Sequence, residues 1–434
     1  MMDQEHHRQK IFVLAGKIFR GYMYKFYAAT LSIIIVLSIG AADAQLPKFF
    51  TDARKIILEQ YINPRNADLK KWDRDLEVGA LRLCQPTCNE ENLNAYLGER
   101  VQAIGDPHFY LYDPLSVRTM DALGVGDFRH SMKFGFILEN ALGRNVIRYI
   151  HPNTPAAALL KMGDFILSAK FVVPDSAIDA QPVPIVLSMA ERHGKGVDIT
   201  LERSGQRLTV RVYPNGESWI STAEVIQKNV LWLRLTATDN NAQQFVYDSV
   251  RRAKADEIKG IILDLRLNQG GQPFKTVNIA GAFVAKLGLT LKNRTGQAIR
   301  YDYAEGKVTY ANEATGQREQ ETIGNAALWD GPLAVLVSRN TFSGGENLAS
   351  ILKSARRAKV IGEPSRGGGG VTGNEFTLKD QLTMFVPQYR HYDAAGVPRP
   401  LQVIPDQLLG LQNWSTLVAG DQWLAAAVAA LQLK

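Results

Sequence analysis

The sequence predicts a multidomain α/β chain: a helical N-terminal segment, a β-rich module and an α/β core. Three patterns carry that prediction. Apolar residues recur at spacings of three and four over 46–104, as amphipathic helices require. Short alternating or apolar runs crowd 124–217, with Gly, Asn and Pro between them, as strands require. From 218 onward strands alternate with helices, which implies a parallel sheet covered on both faces. The 434 residues fit about three domains at ~150 residues each. With 46% hydrophobic and 21% charged residues, the chain can bury real cores and is not a disordered one.

The N-terminus reads as an address. Arg8, Lys10, Lys17, Arg20 and Lys25 precede the apolar run YAATLSIIIVLSIGA at 27–41, which ADA closes at 42–44. A positive region, a short apolar core and a small-x-small site describe a secretory signal cleaved after Ala44. The apolar run is short for a spanning helix, which needs roughly 20 residues. The long basic leader, with an earlier apolar patch at 11–15, keeps an uncleaved membrane anchor open as the alternative. Residues 1–44 are therefore assigned to a signal peptide or N-terminal anchor, and the chain to the periplasm or cell envelope. One apolar stretch excludes a polytopic membrane protein. Net charge is +7, but the 50 Lys+Arg are spread among 43 Asp+Glu with no basic block, which argues against a nucleic-acid partner.

Two cysteines exclude a disulfide-dense scaffold, a four-cysteine zinc site and an iron–sulfur cluster. In an oxidising compartment Cys84 and Cys88, in LCQPTCNE, are expected to form a local disulfide. A C-x-x-x-C pair alone lacks the other two ligands of a zinc site, and no metal site is expected.

The helical region is placed at 45–122. Helices are expected over 49–61 and 69–83. A third is capped by Asn89 and faces its core with Leu93, Tyr96, Leu97, Val101 and Ile104. Gly105-Asp106-Pro107 stops it, and His108 follows on a loop. The β-rich module is placed at 123–217, with strands FGFILE, NVIRYI, GDFILSAKFVV, PVPIVLSM, VDITLER and RLTVRVY and a short helix at 155–161 that opens on proline. The core is placed at 218–434. Its expected elements are a strand at 231–235, a helix at 242–253, a buried strand at 258–265, a helix through 277–283, an apolar strand at 333–338, a helix at 346–355 and a strand at 359–362.

Three pieces carry chemistry. TFSGGE at 341–346 lies between a strand and a helix, so Ser343 stands at a helix N-terminus, where free N–H groups favour a developing oxyanion. Ser-x-x-Glu is also a capping box. However, two glycines cost helix propensity, roughly 1 kcal/mol each against Ala, and a pure cap has no use for them. DLRLNQGG at 264–271 ends a buried strand, where open α/β sheets bind ligands, and Gly270-Gly271 offers bare N–H groups. GDPH at 105–108 supplies a histidine. A lone loop histidine is usually only solvated, and His108 gains interest because a serine nucleophile needs a base.

Together these pieces resemble the carboxyl-terminal processing proteases and their tricorn-like relatives, serine peptidase family S41. The resemblance runs over roughly 50–410 through GDPH, GIILDLRLNQGG, PLAVLVSRNTFSGGENLASILKSARRAKVIGEPSRGGGG and VIPD at 403–406. Within it the β-rich module resembles a bacterial-protease PDZ domain. KFGFI at 133–137 matches the carboxylate-binding loop, and HPNTPAAALLKMGDFIL at 151–167 the helix and strand that follow.

The resemblance implies a ClpP/crotonase-like protease core with Ser343 as nucleophile. It implies an oxyanion hole from Gly344 and from Gly270 or Gly271, and peptide binding at Phe134, Gly135, Phe136 and Ile137. The processing branch uses a Ser–Lys dyad, but its lysine position is Gly368 here. The tricorn-like branch uses a histidine, a place taken by His108, together with a glutamate whose place is taken by Arg399. The leading expectation is a Ser–His endopeptidase acting on exported or envelope polypeptides, with their C-termini as a route of recognition, without a cofactor. The alternative is an inactive peptide-binding or scaffold relative, which the changes at Gly368 and Arg399 favour. A third option gives the base role to His391, against its reading as an exposed loop histidine.

Overall fold

The computed structural model describes residues 46–112, 130–131, 134–141, 144–150, 154–174, 176–180, 182–214, 221–379, 382–410 and 421–433. The signal or anchor assigned to 1–44 lies outside the described residues. No helix among them is long and apolar enough to cross a membrane.

Three helices come first: α1 (Lys48–Gln60), α2 (Leu69–Leu83) and α3 (Glu90–Gln102). Asp68 and Asn89 cap α2 and α3 by accepting from Lys71 N and Asn92 N, which satisfies donors that a first helical turn leaves orphaned. Their buried stripes, including Phe50, Ile57, Leu76 and Leu97, pack on Leu382, Met384 and Val386. Cys84 and Cys88 form a disulfide just after α2. Strand β1 (Tyr110–Tyr112) then pairs antiparallel with residues 383–385. That pairing ties the helices to the core and sets His108 down two residues before the sheet.

Strands β2 (His130–Ser131), β3 (Phe136–Ala141), β4 (Arg144–Ile150), β5 (Phe165–Phe171), β6 (Val197–Arg203) and β7 (Gln206–Val212) form an antiparallel sheet in chain order. Between β5 and β6 lie α4 (Ser176–Asp179) and α5 (Val183–Arg192). The run PVPIVLSM, expected as a strand, is therefore helical. Val183, Val186, Leu187 and Ala190 are buried at spacings of three and four, filling one helical face. A short apolar run does not by itself distinguish strand from helix. The helix expected at 155–161 is a single 3₁₀ turn, Pro155–Ala158.

The remaining elements are β8 (Thr222–Ile226), β9 (Val230–Arg234), α6 (Asn240–Ala255), β10 (Gly260–Asp264), α7 (Pro273–Ala280), β11 (Lys286–Lys292), β12 (Ala298–Ala304), β13 (Lys307–Asn312), β14 (Arg318–Thr322), β15 (Leu333–Val337), α8 (Gly344–Ser354), β16 (Lys359–Gly362), β17 (Val371–Lys379), β18 (Leu382–Asp393), β19 (Gln407–Leu408) and α9 (Gln422–Ala430). One sheet runs β19-β16-β15-β10-β9-β8, parallel from β19 to β9 with β8 antiparallel at the edge. The alternation of a strand explains its two faces. Leu333, Val335 and Val337 join the core that also holds residues of α6, α7 and α8, while Ala334 and Leu336 meet Trp423 and Ala427 of α9. A second sheet runs β1-β18-β11-β12-β13-β14, with β17 also on β18.

Candidate active site

The parallel strands β10, β15 and β16 end at one edge of their sheet, and the loops that follow them meet there. Asn268 is fully buried and organises two of these loops. Its Nδ2 donates to Leu235 O at 3.1 Å, its Oδ1 accepts from Gly270 N at 2.9 Å, and its own carbonyl accepts from Phe342 N at 2.9 Å. Thr341 Oγ1 donates to Leu265 O and Ser338 Oγ to Arg266 O, both at 2.7 Å. The turn before α8 is thereby stitched to the loop after β10.

Ser343 is the N-cap of α8, with φ 51° and ψ −115°, a strained backbone for a residue with a side chain. Glu346 holds it there. The buried carboxylate accepts from Ser343 N at 2.9 Å, from Gly367 N at 2.7 Å and from Ser365 Oγ. Burial pushes Glu346 up to about 7, against the pull of those hydrogen bonds. The glutamate read as half of a capping box thus also fastens the 367–370 loop to the serine turn.

Gly270 and Gly271 have φ +101° and +148°, which favour glycine. A side chain on Gly270 would put its Cβ 2.5 Å from Ser343 Cβ, and one on Gly344 would stand 3.0 Å from Gly271 N. The four residues are therefore in close contact. Gly270 N is committed to Asn268 Oδ1, and the described residues supply no such partner for the N–H groups of Gly271 and Gly344. Thr238, which nothing in the sequence singled out, packs against both Gly271 and Gly344.

His108 is not on a solvated loop. It is 5% exposed, because β1 draws it under the sheet. Its ring stacks on Phe342 at 4.4 Å, with Phe385 at 6.1 Å, and the Arg366 guanidinium lies over the Phe342 ring at 4.7 Å. Burial, with Arg366 adding to it, pushes the imidazole down to about 3, so it is neutral above that pH. Among the described residues no hydrogen bond joins this ring to the Ser343 hydroxyl. Asp106 caps the turn: it accepts from His108 N and Tyr61 Oη, both at 3.0 Å.

Gly368, at the dyad-lysine position of the resemblance, faces the same ring. A Cβ there would meet Phe342 at 2.1 Å and His108 Nδ1 at 2.8 Å. His391, expected on an exposed loop, is instead in β18 and wholly buried, because its strand pairs with β11 and its N–H donates to Gly370 O. Arg399 is buried too, with Nη1 donating to Ser354 Oγ at 3.0 Å.

In the antiparallel module Phe134 and Phe136 are buried, their rings 6.2 Å apart, and Gly135 between them has φ +82°. Phe134 N donates to Glu191 Oε1 at 3.1 Å. The backbone of Phe136 and Ile137 pairs with β2.

The loops thus bring together a strained serine at a helix N-terminus, glycine N–H groups and a buried histidine. Residues 229–408 match the sequence model of peptidase family S41. The chain is 27% identical over 267 residues to the carboxy-terminal-processing protease of Bartonella bacilliformis, covering 58% of this chain and 56% of that protein. It is 31% identical over 175 residues to the chloroplastic carboxyl-terminal-processing peptidase 2 of Arabidopsis thaliana, covering 38% and 30%. Over 403 residues it is 24% identical to the carboxyl-terminal-processing protease of Picosynechococcus, covering 88% and 90%. The chain thus spans about half of the Bartonella protein and less of the Arabidopsis one. The photosystem II D1 C-terminal processing protease shares the fold, with a TM-score of 0.52 at 19% identity over 85% of this chain and 93% of that one. The α/β core is thus similar in sequence to peptidase family S41 and to carboxyl-terminal-processing proteases.

Proposed function

We propose that the chain is a serine endopeptidase of the carboxyl-terminal-processing kind that acts on exported or envelope polypeptides. Ser343 Oγ attacks the peptide carbonyl. His108 takes the hydroxyl proton and returns it to the leaving amine, and water then releases the acyl group by the same route. The N–H groups of Gly344 and Gly271 hold the oxyanion, an effect worth roughly 3–4 kcal/mol per donor in such enzymes. Gly270 serves by letting the backbone come close to Ser343, since its own N–H is occupied. The PDZ-like module recognises a substrate C-terminus, for which β2 must release the edge of β3.

The observation that carries this reading is the position of His108. Its ring lies against Gly368, where the resemblance puts a dyad base, and stacks on the residue before Ser343. A buried imidazole held neutral can accept a proton. Labelling with a fluorophosphonate probe tests the reading. The parent is expected to label, and both Ser343→Ala and His108→Ala to abolish labelling. A folded parent that does not label supports the peptide-binding alternative. Labelling that survives His108→Ala assigns the base elsewhere.

A further inference from the structure

The antiparallel sheet beside the parallel one carries a row of side chains that the proposed chemistry does not use. Tyr310 of β13 stands opposite Tyr301 of β12 on one side and opposite Glu319 of β14 on the other. Residues directly opposite on neighbouring strands share a face, so the three line up across the sheet. Two residues along each strand, Tyr303, Val308 and Glu321 form the next row on that face. Tyr303 and Val308 are buried in the core with α7, whereas Tyr301 and Tyr310 stay half-buried. Phe274, in the first turn of α7, meets Tyr301 at 5.7 Å, and Tyr301 meets Tyr310 at 5.5 Å. These rings line a cleft of about 260 Å³, with Glu319 and Glu321 also on its wall.

Such a lining favours positive charge. Aromatic faces attract cations, and the two carboxylates add to that field. Lys275 of the same chain already behaves so: its ammonium lies 4.8 Å from the Phe274 ring centroid and 3.3 Å from Glu321 Oε2. Among the described residues no cation lies over Tyr301 or Tyr310, and Glu319 Oε1 accepts from the neutral Gln317 amide at 2.6 Å. The cleft is also close to the glycine loop. Phe274 comes three residues after Gly271, a separation of at most about 11 Å, and Gly271 and Gln272 are exposed.

We propose that this cleft is a subsite for a lysine or arginine side chain of the polypeptide substrate, with its charge over Tyr301 and Tyr310 and paired with Glu319, about three residues from the scissile bond. Its place along the substrate rests on the proposed use of Gly271 as an oxyanion donor, and the binding itself does not.

The test is fluorescence anisotropy with the full chain carrying Ser343→Ala, so that no probe is consumed. The probes are dye-labelled peptides of alanine and serine with one central residue, either lysine or norleucine, which matches its stem without the charge. Both are amidated, so that neither offers a C-terminal carboxylate to the PDZ-like module. The lysine peptide is expected to bind roughly 3- to 30-fold more tightly, the span of one cation–π contact from exposed to desolvated. Tyr310→Leu and Glu319→Gln are each expected to erase most of that difference, and Tyr310→Phe, which keeps the ring, to retain it. Glu319 is exposed on an edge strand, so its replacement leaves the fold intact. A lysine peptide that binds no better than the norleucine one, or a preference that Glu319→Gln does not move, overturns the proposal. Its place is read in the parent chain, from cleavage of quenched peptides in which lysine is moved one residue at a time. Cleavage is expected to be fastest with lysine about three residues from the cut, and a rate indifferent to its position overturns the assignment to the substrate path. Cleavage of none of them overturns the endopeptidase reading instead, and leaves the measured lysine preference standing.

Discussion

At the scale of single residues, the site depends on backbone that few residues can adopt. A Cβ on Gly271 would fall 2.3 Å from the carbonyl oxygen of Thr238, a backbone atom that cannot step aside, at φ +148°. Gly271→Ala is expected to lose about 1–3 kcal/mol of stability and to label slowly, measured by urea unfolding beside probe kinetics. Acidification reports on the buried histidines. Both His108 and His391 are lowered by burial, whereas an unfolded histidine titrates near 6.5. Below about pH 6.5 the unfolded chain takes up protons first, so the fold loses stability as pH falls from there. Glu346, raised to about 7, works the opposite way: it disfavours the fold increasingly as pH rises from about 4.3 to 7. Removing one histidine isolates its share, and His391→Phe is expected to lose less stability than the parent between pH 6.5 and 4.

At the scale of elements, the three-residue strand β1 has a role out of proportion to its length. Its register, with Leu111 opposite Met384, is what holds His108 on Phe342. Leu111→Pro fixes φ in the middle of this strand and puts a ring where its N–H stood. It is expected to abolish labelling while far-UV circular dichroism stays close to the parent's, because the parallel sheet does not include β1. Much of this element map was legible in the sequence. Helix α2 begins and ends where the apolar spacing puts it, and the turn at Ser343 is marked by a capping box with two needless glycines. Helix α5 was not legible, since the short apolar run PVPIVLSM does not by itself tell strand from helix. Nor was the burial of His391. Tyr, Arg, His and Tyr in succession read as surface, and only the pairing of β18 with β11 and Gly370 encloses the ring. Strands β11–β14 carried no chemistry-bearing motif, so nothing drew attention to them.

At the scale of the whole molecule, the candidate site is assembled from segments far apart in the chain, and α9 fastens one of its loops. Arg266, in the loop that leads to Gly270 and Gly271, donates to both Asp264 oxygens and to both Asp421 oxygens, the latter at 2.9 and 2.6 Å. Asp421 is the N-cap of α9, whose Leu424 N donates to it. Asp421→Asn leaves the half-buried guanidinium with one charged partner. It is expected to cost about 1–3 kcal/mol and to lower the melting temperature in calorimetry.

That clamp also sets an order of events during synthesis. The serine turn, both glycines and both histidines have left the ribosome well before Asp421 does. Until that residue emerges, Arg266 is held on one side only and the face of β15 that α9 covers is bare. A nascent copy therefore carries the serine turn and both histidines in an unfinished mount, and the arrival of Asp421 is what clamps it.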